Sequence, residues 1–366
     1  MQITITREEL LKPLSYVAGV VERRQTLPVL SFVLLRQQNG LMTLTGTDLE
    51  IEIVSKVNQA GTGNVEMMLP ARKLFDLCRA LPGNAEITIK KEGEKSIVKS
   101  GKSRFTLATA PVADFPIVQA SQWEQVLTID QKSFRDLLEQ THFCMAQQDV
   151  RYYLNGLLLE LADKKIRGVA TDGHRMAISE ILLEKPTKGD KQIIVPRKGV
   201  QEMLRLIADT EDSIELEIGT NHFRAKTDDF MFTTKLIDGR YPDYNKVIPN
   251  KQSKKLKLDR NLFRETLARV AILSSEKYRG VRLSLTNKVL RLTAHNPEQE
   301  EAQEEINIDY SGEGMEIGFN VNYMIEAISA LQTDIVEFGL NDPNSSCTLI
   351  SPETIYPQYV IMPMRL

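Results

Sequence analysis

The sequence predicts an α+β fold of three repeated domains, each with two helices packed on antiparallel sheets. Three observations predict it. A strand-like stretch followed by an amphipathic helix opens each third: ITITREELLKPLSYVAG from Ile3, LTIDQKSFRDLLEQTHFCM from Leu127 and LKLDRNLFRETLARVAIL from Leu256. A strand pair then ends in LTGTDLE, VATDGHR or LTAHNPE, and the equivalent residues Thr47, Thr171 and His295 are spaced by 124 residues each time. A second helix follows, LPARKLFDLCRAL from Leu69, VPRKGVQEMLRLI from Val195 and FNVNYMIEAISAL from Phe319. Features recurring in one order at one period are the mark of an internal repeat.

Each element has a local cause. Thr6, Asp130 and Asp259 stand where helix N-caps belong, and Glu9 completes a capping-box spacing with Thr6. Apolar residues recur at helical spacing, as in Phe134, Leu137 and Leu138 or Phe263, Leu267 and Val270. Pro70 and Pro196 open the second helices, where a missing N–H costs nothing. Alternating strands such as SRFTLAT and DFMFTTKL lead to a closing proline in each third, Pro116, Pro242 and Pro357. The expected domains are 1–120, 121–251 and 252–366, since 366 residues exceed one ordinary core.

Composition narrows the class. The chain is 42% hydrophobic and 26% charged, ordinary values for a soluble globular protein. It has no apolar run of about 20 residues, and its first residues lack a signal-peptide core. The three cysteines, Cys78, Cys144 and Cys347, are far apart, which argues against a disulfide framework or zinc site and fits a reducing cytoplasm. Net charge is −3, distributed as +3 over 1–120, −2 over 121–251 and −4 over 252–366. A basic end and an acidic end suit head-to-tail association.

The second helices carry cations opposite their apolar stripes: Arg72, Lys73 and Arg79 in one, Arg197, Lys198 and Arg205 in another. One such helix reads as a solvated face; for several in an acidic chain, a solvated face and a shared positive surface for loose, salt-sensitive phosphate contact stand on equal terms. The loop from Gln147 to Tyr153 sets Arg151 beside Tyr152 and Tyr153, which either stack on exposed bases or anchor the following strand. The run Thr171-Asp172-Gly173-His174-Arg175 has the look of a catalytic motif. The four histidines, His142, His174, His222 and His295, nevertheless lack ligand or base spacing, and Asp-Gly is an ordinary turn pair. No phosphate-binding glycine motif is present; Gly61-Thr62-Gly63 is a fragment without a following helix. Binding is therefore favoured over catalysis.

The quoted residues resemble the bacterial DNA polymerase III beta subunit family, the sliding clamps. The likeness runs from RQTLPVL (24–30) through LTGTDLE, PARK, ADFP, MAQQDVRYYLNG, VATDGHR, VPRKGV, DGRYPDY, AILSSEKYRGVR and NPEQEEA to the terminal YVIMPMRL. It implies the DNA-clamp fold: three domains, a head-to-tail homodimer forming a six-domain ring around duplex DNA, and helices lining the hole. It also implies a processivity factor with no catalysis and no cofactor, cytoplasmic and nucleoid-associated at replication forks. The polymerase catalytic subunit, the clamp loader and repair polymerases would dock through short linear peptides.

The resemblance places the peptide pocket between the second and third domains. It would comprise Leu154, Thr171, Gly173, His174, Arg175, Met176, Pro242, Lys246, Val247, Tyr278, Asn320, Tyr323, Ser346, Val360, Ile361, Met362, Pro363, Met364, Arg365 and Leu366. A methionine-rich apolar tail suits varied ligands. Asn245 and Lys246 replace two arginines usual after PDY, Tyr278 replaces a common Phe, and Asn344 an apolar residue. These departures bear on peptide preference. Together with the basic faces, the resemblance assigns DNA contact to Arg24, Arg72, Gln148, Arg151, Tyr152, Tyr153, Arg197 and Lys198.

Ring closure is expected from two unlike segments. Residues 90–107 are rich in lysine and end as an edge strand would, with Lys102, Arg104, Phe105 and Leu107; Lys73 joins them. Residues 298–305 are rich in glutamate, including Glu300 and Glu304, and Ile272 and Leu273 lie at a helix end in the same third. Pairing the two edges across copies would satisfy backbone groups otherwise left open. Two rival readings are an open, non-ring DNA-binding scaffold and an enzyme built on Asp172 and His174.

Overall fold

The computed structural model describes residues 2–21, 27–38, 40–57, 64–118, 122–249 and 251–365. Arg24, Leu366 and the Gly61-Thr62-Gly63 fragment lie outside them. The chain divides into two compact units, residues 1–132 with 201–236, and residues 133–200 with 237–366. The central third of the sequence thus contributes to both.

Six helices occur among the described residues: α1 (Arg7–Ala18), α2 (Ala71–Ala80), α3 (Gln131–Glu139), α4 (Arg197–Leu206), α5 (Arg260–Ala271) and α6 (Val321–Ala330). Two of the anticipated caps, Thr6 and Asp259, and one not anticipated, Asn320, explain three starts. Thr6 accepts from the Glu9 backbone N–H while the Thr6 N–H donates to the Glu9 carboxylate at 3.1 Å, a complete capping box. Asp259 accepts from the Leu262 N–H at 2.8 Å at the start of α5. Asn320 accepts from the N–H groups of Asn322 and Tyr323 at the start of α6. Pro70 precedes α2 with no side-chain cap. At the other end of α1, where no basic residue stands in the last turn, Arg205 donates to the carbonyls of Ser15 and Tyr16 at 2.9 and 2.6 Å.

The first unit holds a four-stranded sheet, in the order Gln2–Thr6, Glu86–Glu92, Lys95–Ser100, Ser103–Ala108. It also holds an eight-stranded sheet, in the order Val65–Pro70, Phe32–Gln38, Leu41–Thr47, Ile51–Val57, Phe230–Lys235, His222–Lys226, Ser213–Gly219, Trp123–Asp130. The second unit repeats the plan. Its eight-stranded sheet runs Lys191–Pro196, Gly156–Ala162, Lys165–Thr171, Arg175–Leu182, Gln358–Ile361, Cys347–Ile350, Ile335–Leu340, Lys254–Asp259. Its four-stranded sheet runs Glu301–Asn307, Val289–His295, Gly280–Thr286, Met315–Asn320.

All the described pairings are antiparallel, and alternate residues of many strands enter the core, as Ile3, Ile5, Ile87 and Ile89 do. α1 lies so close to its sheet that a Cβ on Gly46 would stand 3.0 Å from the Val17 carbonyl oxygen. No helix among the described residues is long and apolar enough to cross a membrane. All three cysteines are buried and unbridged, and burial pushes the Cys78 thiol up to about 12.

Candidate functional site

In the second unit, strand Lys165–Thr171 turns into Arg175–Leu182 through a loop built on its own side chains. Thr171 Oγ1 donates to the Arg175 carbonyl at 2.6 Å and accepts from the Gly173 N–H at 3.0 Å. Asp172 Oδ1 accepts from the N–H groups of His174 and Arg175 at 2.9 and 3.0 Å. Gly173 has φ +89°, and a Cβ there would stand 3.1 Å from the Arg151 guanidinium, so any other residue would be strained and would displace that side chain. The last described strand, Gln358–Ile361, pairs with Arg175–Leu182, and Met362 N–H continues the pairing by donating to the His174 carbonyl at 2.9 Å.

These elements enclose a cavity of about 230 Å³. Leu154, Met176 and Val360 are each at most 2% exposed and form its apolar lining, while Val247 and Met362 stand 44% and 41% exposed at its mouth. Thr171, Gly173, Arg175 and Pro242 complete the expected members. Arg151, Tyr153, Asp243 and Tyr244 also line it. Arg151 and Tyr153 were assigned above to DNA, and Tyr153 is half-buried against the core cluster of Leu154 and Tyr244. Tyr153 thus packs as an anchor for the following strand. Tyr152 is 57% exposed, its ring 3.3 Å from where a Cβ on Gly239 would stand.

Polar groups fix the walls. The Tyr241 hydroxyl accepts from the Thr171 N–H at 3.1 Å, and burial pushes its pKa up. Burial, and then its hydrogen bond to Glu160, push Tyr244 up to about 12, so both phenols stay neutral. Arg175 donates to the Phe143 carbonyl at 2.7 Å, to Asp172 at 3.2 Å and to the Glu326 carboxylate. Tyr323 stacks on its guanidinium, and Asn320 caps the helix that carries Tyr323.

Other expected pocket residues lie around this centre. His174 is exposed, Ser346 and Pro363 are half-exposed, and Ile361 is buried in the strand facing Arg175. Lys246 is exposed and pairs with Asp243 at 3.4 Å. Tyr278, Met364 and Arg365 instead line a second cavity of about 350 Å³ in the same unit, with Arg282 and His295. The Met364 N–H is tied to the Gly318 carbonyl at 2.8 Å.

The loop before the cavity presents Gln148 and Arg151 to solvent. Arg151 donates to both oxygens of Asp149, at 3.0 and 2.8 Å, and these bonds hold the Asp149 carboxyl down at about 2. Arg197 and Lys198 open α4 half-exposed, Arg197 donating to the Met145 carbonyl at 2.9 Å. In the first unit Arg72 is exposed on α2. No group of His, Cys, Asp and Glu able to hold a metal occurs among the described residues. The Asp172 carboxylate is committed to its own turn and to Arg175.

Both edges named for ring closure are sheet edges. Ser103–Ala108 ends the four-stranded sheet of the first unit; Arg104 and Phe105 are exposed along it, and Lys102 directly before it. Phe105, Leu107 and Lys73 line a cavity of about 560 Å³ beside α2. Glu301–Asn307 ends the four-stranded sheet of the second unit, with Glu300 exposed before it and Glu304 held by Arg269 at 2.5 and 2.6 Å. Ile272 there is 76% exposed and Leu273 is half-exposed.

Comparison with known proteins identifies the family. Family models match along the chain: the DNA polymerase III beta subunit N-terminal domain over 1–119, central domain over 128–243 and C-terminal domain over 245–365. The beta sliding clamp of Pseudomonas putida is 49% identical and that of Escherichia coli 46%, with the full length of each chain covered. A crystal structure of the Pseudomonas aeruginosa DNA polymerase sliding clamp superposes with a TM-score of 0.97 at 48% identity, covering 100% of both chains. The Caulobacter crescentus pol III beta structure gives 0.93 at 34% identity, again covering 100% of both. The chain belongs to the DNA polymerase III beta subunit family, the beta sliding clamps.

Proposed function

We propose that two copies of this chain close head to tail into a ring around duplex DNA, and that the cavity walled by Met176, Val360 and Met362 docks short peptides of its partners. A sliding clamp is a processivity factor, not an enzyme, and the rival reading of Asp172 and His174 as catalytic is set aside. The observation that carries the ring is that one chain bears two unlike free strand edges, basic at Ser103–Ala108 and acidic at Glu301–Asn307. Pairing them would join sheets across copies, with Phe105 and Leu107 packing on Ile272 and Leu273. Lys73, Lys102 and Arg104 would then face Glu300 and Glu304.

Grip and sliding make opposite demands, and closure meets both. A closed ring stays on DNA without tight contacts, so the cations at Arg24, Arg72, Arg151, Arg197 and Lys198 need only weak phosphate attraction, with Gln148, Tyr152 and Tyr153 beside them. The tether keeps each docked partner at high local concentration near the template. The three sequence domains, 1–120, 121–251 and 252–366, would be the repeated segments of the ring, acting on the nucleoid in the cytoplasm. The polymerase catalytic subunit and the clamp loader would share the docking cavity. The test is retention on DNA at high salt after loading. Retention on circular DNA and loss from linear DNA is expected; equal loss from both would leave the open-scaffold reading.

A further inference from the structure

The first unit contains a cavity of about 360 Å³ lined by Thr47, Leu49, Pro116, Ile117, His222 and Lys235, among others. The turn that forms one wall, and its tie to the neighbouring strand, repeat those of the docking cavity. Thr47 Oγ1 donates to the Ile51 carbonyl at 2.7 Å and accepts from the Leu49 N–H at 3.1 Å, as Thr171 does toward Arg175 and Gly173. Asp48 Oδ1 accepts from the N–H groups of Glu50 and Ile51 at 2.9 and 2.7 Å, as Asp172 does from His174 and Arg175. The Lys235 N–H donates to the Glu50 carbonyl at 2.9 Å, as that of Met362 does to His174. Pro116 holds the repeat position of Pro242.

Two substitutions change the chemistry of this second copy. Leu49 takes the place of Gly173 and keeps the left-handed turn, at φ +77°, a conformation that a leucine adopts only under strain. Its side chain is thereby held 38% exposed at the mouth, with Ile117 67% exposed beside it. Lys235 takes the place of Met362, is exposed, and faces His222 across the strand pair. No carboxylate lines the cavity among the described residues. Behind the wall the buried Glu52 carboxylate accepts from the Val118 N–H at 3.2 Å, fixing the backbone next to Ile117.

We propose that this cavity is a second docking pocket, taking a short peptide segment of a partner protein that presents an aliphatic side chain next to a carboxylate. The aliphatic group fills the space between Leu49 and Ile117, and the carboxylate meets Lys235. It differs from the cavity at Met176 and Val360 in selecting an acidic segment. A partner that reaches both cavities gains avidity without any new contact.

The experiment uses the full-length protein and an acetylated Ser-Leu-Glu-Leu-Glu peptide whose first leucine is photoactivatable, with attachment sites mapped by mass spectrometry. Attachment at Leu49 or Ile117 is expected, and deletion of residues 362–366 should leave it in place. Lys235→Glu should weaken it by up to about fivefold, the size of an exposed ion pair lost. A peptide with lysines in place of glutamates should then attach to the Lys235→Glu protein in preference to wild type. Attachment confined to the cavity at Met176 and Val360, attachment nowhere, or attachment at Leu49 unchanged by Lys235→Glu would each overturn the proposal.

Discussion

The guanidinium of Arg175 lies 4.3 Å from the centre of the Tyr323 ring, held there by the Phe143 carbonyl and the Glu326 carboxylate. One side chain thus ties the 171–175 loop to α6 at the wall of the docking cavity. Arg175→Lys keeps the charge and loses the planar fork and most of the stacking. A loss of about 1–2 kcal/mol in peptide affinity is expected, roughly 5- to 30-fold. Calorimetry with a Gln-Leu-x-Leu-Phe-type peptide measures it, and unchanged affinity would remove Arg175 from the docking role.

Deleting residues 362–366 removes the Met362 and Met364 backbone bonds to His174 and Gly318. The strand Gln358–Ile361 remains paired on both sides, so the fold should survive. Docking of the same peptide should vanish, because Met362 is a cavity wall. Retained affinity in a folded truncation would contradict this assignment.

Ile272→Ala with Leu273→Ala should give a folded monomer by sedimentation. Ile272 is 76% exposed in the protomer, so its truncation costs folding little. In an interface the same truncations remove about 2–5 kcal/mol each where the side chain is fully buried. Single changes such as Glu300→Gln should leave the dimer intact, since an exposed ion pair contributes about 0–1 kcal/mol. A double variant that still sediments as a dimer would sink this interface.

Asp149 neutralises Arg151, and its lowered pKa means that this pair stays formed until the pH falls to about 2. Asp149→Asn releases one cation toward the DNA. Binding should tighten at low salt, and the slope of log affinity against log salt should steepen by about 0.9 per phosphate gained. No change in slope would show that Arg151 stays clear of DNA.

His142 is half-exposed, and burial first, then Arg197, lower its pKa below 6.5. The unfolded chain therefore takes up the proton first as the solution is acidified. Stability is full above 6.5, falls as pH drops through that value, and levels off below the lowered folded value. His142→Leu should flatten this part of a thermal-melt pH series, and an unchanged slope would assign it to other groups.

Much of the fold was legible because its causes are local. The Thr6 capping box, the Asp259 cap and the prolines before α2 and α4 sit within a few residues of what they control. Sheet partners are not local. Nothing near Ile51–Val57 announces that it pairs with Phe230–Lys235, so the two eight-stranded sheets could not be read from pattern. The site shows the same divide. Motif residues such as Thr171 and Met176 reach the cavity, whereas Tyr244 arrives through long-range packing that also turns Tyr153 inward. The kinship of Leu49 with Gly173 was implicit in the 124-residue spacing, but its backbone strain was not.

The pairing of Ile51–Val57 with Phe230–Lys235 also bears on how the molecule is made. Ser55 bonds to the Asp229 carbonyl, 174 residues later in the chain. On a translating ribosome the earlier strand therefore waits roughly 10–35 seconds for its mate, at about 5–20 residues per second. During that interval it presents Ile51, Ile53 and Val57 along an open edge, the kind of surface that nascent-chain chaperones shield. Mutations that weaken this seam would then lower yield during synthesis more than they lower the melting temperature of the finished protein.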